Sequence, residues 1–237
     1  MSPLLTITAL TLLAGLAMAL GALIACYEKI QPKWIEEELR HGVTAFGAGS
    51  LLSAVALVLV PEGIVHFEPL YACAWFIFGG LSFMALDVFL NKMNTPASQL
   101  AAMLADFIPE SIALGAAFAL GSSHAILLVG LIALQNFPEG FSAFRELKSA
   151  SSYSAKKIIT LFCLMATLGP ISAVSGYLWL SDYPTVISAI MLFAAGGILY
   201  SIFQDIAPQV KLKKHWAPPM GAVFGFVVGM FGLMISS

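Results

Sequence analysis

Two stretches of this chain, Asp106-Phe-Ile-Pro109-Glu110-Ser111 and Gln135-Asn136-Phe-Pro138-Glu139-Gly140, set carboxylates and amides beside prolines in otherwise apolar surroundings. Asp106 and Glu110 are four residues apart, as are Gln135 and Glu139, so on helices each pair shares one face, one turn above the other. Each pair brackets a proline. Pro109 and Pro138 lack the N–H that would bond the carbonyls of Ala105 and Leu134, which predicts a kink in each helix and a backbone oxygen available as a ligand. Two such helices side by side present Asp106, Glu110, Gln135 and Glu139 around a common point. Three carboxylates stay together there only if they take up protons or share a cation. The first chemistry is a proton relay; the second is a divalent-metal site. Each polar residue also has a plainer reading, as hydrogen-bonding glue between helices.

The elements that must position these groups lie in a membrane. The 237 residues are 59% hydrophobic and 10% charged, with a mean hydropathy of +0.92, a balance that excludes an ordinary soluble domain. An ionisable side chain at the centre of a spanning helix costs about 2.5–3.5 kcal/mol, so it faces a bundle interior or watery cavity and marks an ion or proton route. A bilayer core of roughly 30 Å needs about 20 helical residues. On that ruler the chain is all-α and polytopic, with eight spanning helices at 3–26, 42–60, 70–90, 98–120, 124–146, 157–180, 184–204 and 217–236 in a single transmembrane domain, 1–237. No basic residue precedes the apolar run Pro3 to Cys26, so it reads as the first spanning helix rather than a cleaved signal peptide. Cys26, Cys73 and Cys163 lie far apart in or beside apolar runs and read as small core residues.

Orientation follows from the eleven Lys and Arg residues. The first loop holds Lys29, Lys33 and Arg40, the third Lys92, the fifth Arg145, Lys148, Lys156 and Lys157, and the seventh Lys211, Lys213 and Lys214. The positive-inside bias therefore places the odd-numbered loops in the cytoplasm and both chain ends outside. The opposite face offers Glu62, His66, Glu68, His124 and Asp182 with no basic residue, a surface that gathers cations.

An internal repeat underlies this arrangement. Phe46-Gly-Ala-Gly49-Ser-Leu-Leu with Pro61-Glu62 falls on Phe193-Ala-Ala-Gly196-Gly-Ile-Leu with Pro208-Gln209 at a constant offset of 147 residues, and Leu20-Gly21 matches Leu168-Gly169 more faintly. Segments two and seven run in opposite senses by the charge count, so the halves read as inverted copies flanking segments four and five. Inverted repeats with a midplane site on interrupted helices are a transporter signature.

With these motifs in view, Gly15-Leu-Ala-Met-Ala-Leu-Gly21, Phe46-Gly-Ala-Gly49…Pro61-Glu62, Gly80-Leu-Ser-Phe-Met-Ala-Leu-Asp87, Pro109-Glu110 and Gln135-Asn136-Phe-Pro138-Glu139-Gly140, the whole chain resembles the ZIP (Zrt/Irt-like) divalent-metal transporters, closest to their bacterial GufA-type branch. The resemblance implies a three-two-three inverted arrangement of eight helices and movement of Zn²⁺ or a related ion (Mn²⁺, Fe²⁺, Cd²⁺) toward the cytoplasm. It also implies two neighbouring metals in many bacterial relatives. The chain departs from that pattern in a cluster: Asp106-Phe107 stands where the family usually has His-Asn, Ser111 where it has Gly, Asn136 where Asp is frequent, and Gly169 where a Glu precedes Pro170. Phe107, Asn136 and Gly169 fall at positions that serve mainly the second metal, so a mononuclear site of Asp106, Glu110, Gln135 and Glu139 is expected, with Asn136 assisting. A carboxylate in place of imidazole makes that site harder and shifts its preference toward Mn²⁺, Fe²⁺ or Mg²⁺.

Asp87, Gln204 and Asp205, near cytoplasmic helix ends, are candidates for an exit route or for interfacial anchoring, and Glu62, His66 and His124 for an outer entrance. Glu36-Glu37-Glu38 and Lys211 to Lys214 read as topological and lipid-facing charge. With only His41 and His215 on that side, no histidine-rich metal-sensing loop is expected. The expectation is thus a multi-pass protein of a cytoplasmic (inner) membrane whose partners are lipid and its divalent-metal substrate, with no prosthetic group. The Gly221-x-x-x-Gly225-x-x-x-Gly229 face suits either an intrachain helix or a homodimer. No nucleotide-binding, His-Glu-x-x-His or Gly-x-Ser-x-Gly motif supports an ATPase or hydrolase, and a net charge of −2 without a basic stripe gives no support to nucleic-acid binding. The rival expectation is a membrane metal-binding or regulatory protein that has lost transport.

Overall fold

The computed structural model describes residues 2–28, 33–93, 95–119, 121, 124–180, 182–210 and 217–236, with backbone alone at 33–37 and 96–99. Lys29, Lys211, Lys213, Lys214 and His215, and the side chains of Lys33, Glu36 and Glu37, lie outside the described residues. Among those described, every regular element is helical. Helix α1 is Pro3–Tyr27; α2 is Lys33–Ala54, prolonged through Val55–Leu59 and a last turn Val60–Gly63; α3 is Pro69–Met93 and α4 Pro96–Ala119. Helix α5 is Ala125–Ala150; α6 is Ala155–Ala166 resumed as Leu168–Trp179; α7 is Pro184–Ser201, prolonged through Ile202–Ile206 and Ala207–Val210; α8 is Met220–Ser236. Seven of these are long and apolar enough to cross a membrane, and α8 is a shorter apolar helix. The chain is therefore an all-helical, multi-pass membrane protein.

Local chemistry sets the helix ends. Ser2 accepts a hydrogen bond from the Leu5 N–H at 3.4 Å with Pro3 at the first helical position, and Ser154 accepts from the Lys157 N–H at 3.2 Å. Helix α6 is interrupted at Thr167, because Pro170 has no N–H for the Ala166 carbonyl. Pro109 and Pro138, by contrast, sit inside unbroken α-helix. Helix α7 outruns its expected end by half a dozen residues: Gln204 and Asp205 look like a polar terminus, yet the helix widens there and continues to Val210.

Both extended helices widen in the same way. The Val60 N–H bonds the Val55 carbonyl and the Ala207 N–H bonds the Ile202 carbonyl, each reaching back five residues instead of four, so Val55–Leu59 and Ile202–Ile206 are π-helical turns. They are separated by the same 147 residues as the sequence repeat.

The packing repeats too. Helix α1 lies along α5 as α6 lies along α4, α2 along α8 as α7 along α3, and α2 meets α5 as α7 meets α4. The repeat-equivalent glycines Gly49 and Gly196 serve equivalent contacts: a Cβ at Gly49 would collide with the Ala222 carbonyl of α8, and one at Gly196 with the Phe76 carbonyl of α3. Backbones this close gain dispersion contacts that hydrophobicity cannot supply inside a lipid phase. The most buried spans are α7, followed equally by α2 and α5, and α3 is the most exposed of the long ones. The site-bearing helices thus sit in the interior, with α3 turned to lipid.

Candidate ion site

Helices α4 and α5 pack against each other and bring the two proline motifs together. Glu110 is 1% exposed, and its Oε2 accepts a hydrogen bond from Gln135 Nε2 at 2.5 Å. Glu139 faces both Asp106 and Glu110 closely enough to feel their charge. The four residues singled out by spacing therefore share one neighbourhood, as two i, i+4 pairs on facing helices.

What this neighbourhood lacks is donors. Asp106 Oδ1 and Gln135 Oε1 are fully buried with no hydrogen-bond partner. A buried acceptor left unsatisfied costs about 1–3 kcal/mol, more when charged. Gln135 spends its Nε2 on Glu110, which leaves its carbonyl oxygen buried and unpartnered. The chemistry this set can do is to hold something that carries positive charge. Among the described residues no three His, Cys, Asp or Glu side chains converge tightly enough to hold one ion in the present arrangement.

Asn136 is 1% exposed and its Nδ2 donates to the Ala14 carbonyl of α1 at 3.0 Å, so its amide nitrogen ties α5 to α1. Phe107 is buried to the same degree, and its ring fills the space in front of Gly15 and Gly169, where an added Cβ would lie under 3 Å from the ring. On the other flank, Gly47 of α2 lies against the Pro138 ring, and Thr44 and Ser142 share a hydroxyl hydrogen bond of 3.2 Å, which brings α2 onto the proline face of α5.

No protein-family model and no curated protein matches this chain. The site therefore has to be read from its own geometry.

Helix α7 closes the site from the side facing α4. Ser201 and Asp205 both lie near Asp106, the second close enough to repel its charge. Ser201 was not anticipated; nothing in its local sequence marks it, and only the packing of α7 on α4 reveals it. Asp205 is in turn influenced by Asp87 and Glu146, which extends the acidic neighbourhood beyond the four central residues. Asp87 is well anchored, accepting from Asn91 Nδ2 at 2.9 Å and from the Tyr200 hydroxyl at 3.1 Å. Gln204 is exposed on the wide turn of α7. Toward the other end of the bundle, Glu62 Oε1 and His124 Nδ1 pair at 3.0 Å, joining the end of α2 to the start of α5, while His66 is exposed in the turn after α2.

Proposed function

We propose that the protein carries a divalent metal cation across the membrane toward the cytoplasm through a single site built from Glu110, Glu139, Asp106 and Gln135. The observation that carries this reading is the donor-poor cluster: fully buried Glu110, with Asp106 and Glu139 near enough that the three feel one another's charge, and two orphaned acceptor oxygens, in a helix bundle where each uncompensated charge is costly. A divalent cation satisfies all of them at once. Asn136 supports the site by fixing α5 to α1. The family motifs read from the sequence point to the same activity, that of a ZIP-type transporter.

Several features support eight crossings in a three-two-three inverted arrangement. These are the constant offset, the two π-helical turns at that offset, and the packing pattern that recurs when α1, α2, α3 and α4 are exchanged for α6, α7, α8 and α5. The distribution of basic residues supports both termini outside and an entrance at Glu62 and His124, with Asp205 and Gln204 on the exit side. Rocking of the repeats around α4 and α5 then exposes the site to each face in turn. Phe107 packed on Gly169 supports one ion per chain. The oxygen-only ligand set favours Mn²⁺ and Fe²⁺ relative to sites that contain imidazole.

Equilibrium binding of Mn²⁺ to the detergent-purified protein, followed by paramagnetic resonance, tests the site. The expected result is one ion per chain, lost in Glu110→Ala/Glu139→Ala; unchanged binding in that double variant would place the ion elsewhere.

A further inference from the structure

The two π-helical turns stand out because such turns are rare, are weaker than α-helix and recur at functional positions. Here each has an evident cause in the sequence. Pro61 follows Val55 by six residues and Pro208 follows Ile202 by six. A proline ring collides with the carbonyl four residues back and offers it no N–H. The carbonyls concerned are those of Leu57 and Gln204, each in the middle of its wide turn, and widening the helix there relieves the collision.

The turns also lie where the two repeat-related helices lean on each other. The wide turn and last turn of α2 pack on α7, and the wide turn and last turn of α7 pack on α2. The contacts are reciprocal, yet the two turns differ in exposure. Val55, Val58 and Leu59 are buried, Val58 at 1%. At the repeat offset Val55 corresponds to Ile202, buried like it at 4%, whereas Val58 and Leu59 correspond to Asp205, exposed beside Gln204, and the partly open Ile206. Equivalent backbone devices thus differ in how far their last residues are covered.

We infer that Val55–Leu59 of α2 and Ile202–Ile206 of α7 are paired hinges, the first opening and sealing the outer route to the ion site and the second the cytoplasmic route. The inference rests on the transport reading for its direction. A wide turn can shift its hydrogen bonds from five residues back to four with a small rotation of everything beyond it. On α2 that rotation moves Glu62 against His124; on α7 it moves Asp205 against Asp106.

The test uses single cysteines, Val58→Cys or Gln204→Cys, in a protein whose Cys26, Cys73 and Cys163 are replaced by alanine, reconstituted in vesicles and exposed to a membrane-impermeant maleimide from either side. Labelling of Gln204→Cys from the cytoplasmic face and of Val58→Cys from the outer face should change in opposite directions when Mn²⁺ is added. Replacing the cause of the hinge by Pro61→Ala, a change that favours regular helix and does not endanger folding, should slow Val58→Cys labelling by about tenfold, equivalent to roughly 1.4 kcal/mol, and leave Gln204→Cys open and unresponsive to the ion. Pro208→Ala should do the converse. Rates that change together, or that ignore both proline replacements while melting temperatures stay normal, would overturn the inference. Mn²⁺ uptake by the wild-type protein is measured alongside: reciprocal labelling without uptake would fault the transport reading and leave the hinges standing.

Discussion

Glu110 is the most deeply buried carboxylate of the site and the one whose hydrogen-bond partner is identified. Removing Gln135 strips that partner and an orphaned ligand oxygen together, so Gln135→Leu should weaken Mn²⁺ binding about 10–100-fold, the usual effect of losing a group that orients a metal ligand. Titration of the purified variant against the wild-type protein checks it. Asp106 makes a different prediction. Because imidazole suits zinc better than it suits manganese, Asp106→His should raise Zn²⁺ relative to Mn²⁺ in competitive uptake; an unchanged ratio would remove Asp106 from the ligand set. At this scale spacing carried far. The four-residue intervals about Pro109 and Pro138 were enough to group Asp106, Glu110, Gln135 and Glu139. Ser201 escaped because its approach to Asp106 depends on how α7 packs on α4, a relation between residues 95 positions apart that leaves no local mark.

Among elements, the tightest constraints are helix crossings at small residues. Gly49→Ala and Gly196→Ala each set a methyl against a neighbouring backbone carbonyl that cannot yield, and each should destabilise the fold by about 1–3 kcal/mol. Equal losses in thermal unfolding would fit their equivalent places in the repeat. Phe107 and Gly169 form a coupled pair: Gly169→Ala collides with the ring, and Phe107→Leu relieves that collision. Their double-mutant cycle should show a favourable coupling of about 0.5–3 kcal/mol. The helices themselves were legible from apolar runs, but their ends less so. Gln204-Asp205 and Pro208 carry the signs of a terminus, and the helix passes through them by widening. Likewise Lys33 to Arg40 extends α2 before the apolar run begins, since no glycine or proline interrupts the stretch.

For the whole molecule, the repeat was visible in letters before it was visible in packing. Gly49 with Gly196 and Pro61 with Pro208 were aligned by the sequence alone; the coordinates add what those residues do, the first pair allowing close crossings and the second widening a helix. The nature of the wide turns could not be foreseen, because proline near a helix end ordinarily reads as a stop. The proposed inverted arrangement, with both termini outside, makes its own prediction: epitope tags appended at the two termini should both be reached by antibody from outside intact cells, and one tag reached only after permeabilisation would contradict it. The central claim, that the buried carboxylates carry an ion through the bilayer, is tested most directly by flux. Purified protein in vesicles is offered Zn²⁺, Mn²⁺, Fe²⁺, Cd²⁺ and Mg²⁺ in turn, with Glu110→Ala/Glu139→Ala as the control. Saturable uptake of at least one of these ions by the wild-type protein, abolished in the double variant, is the predicted result; stoichiometric binding with no uptake of any of them would contradict transport and leave a metal-binding membrane protein.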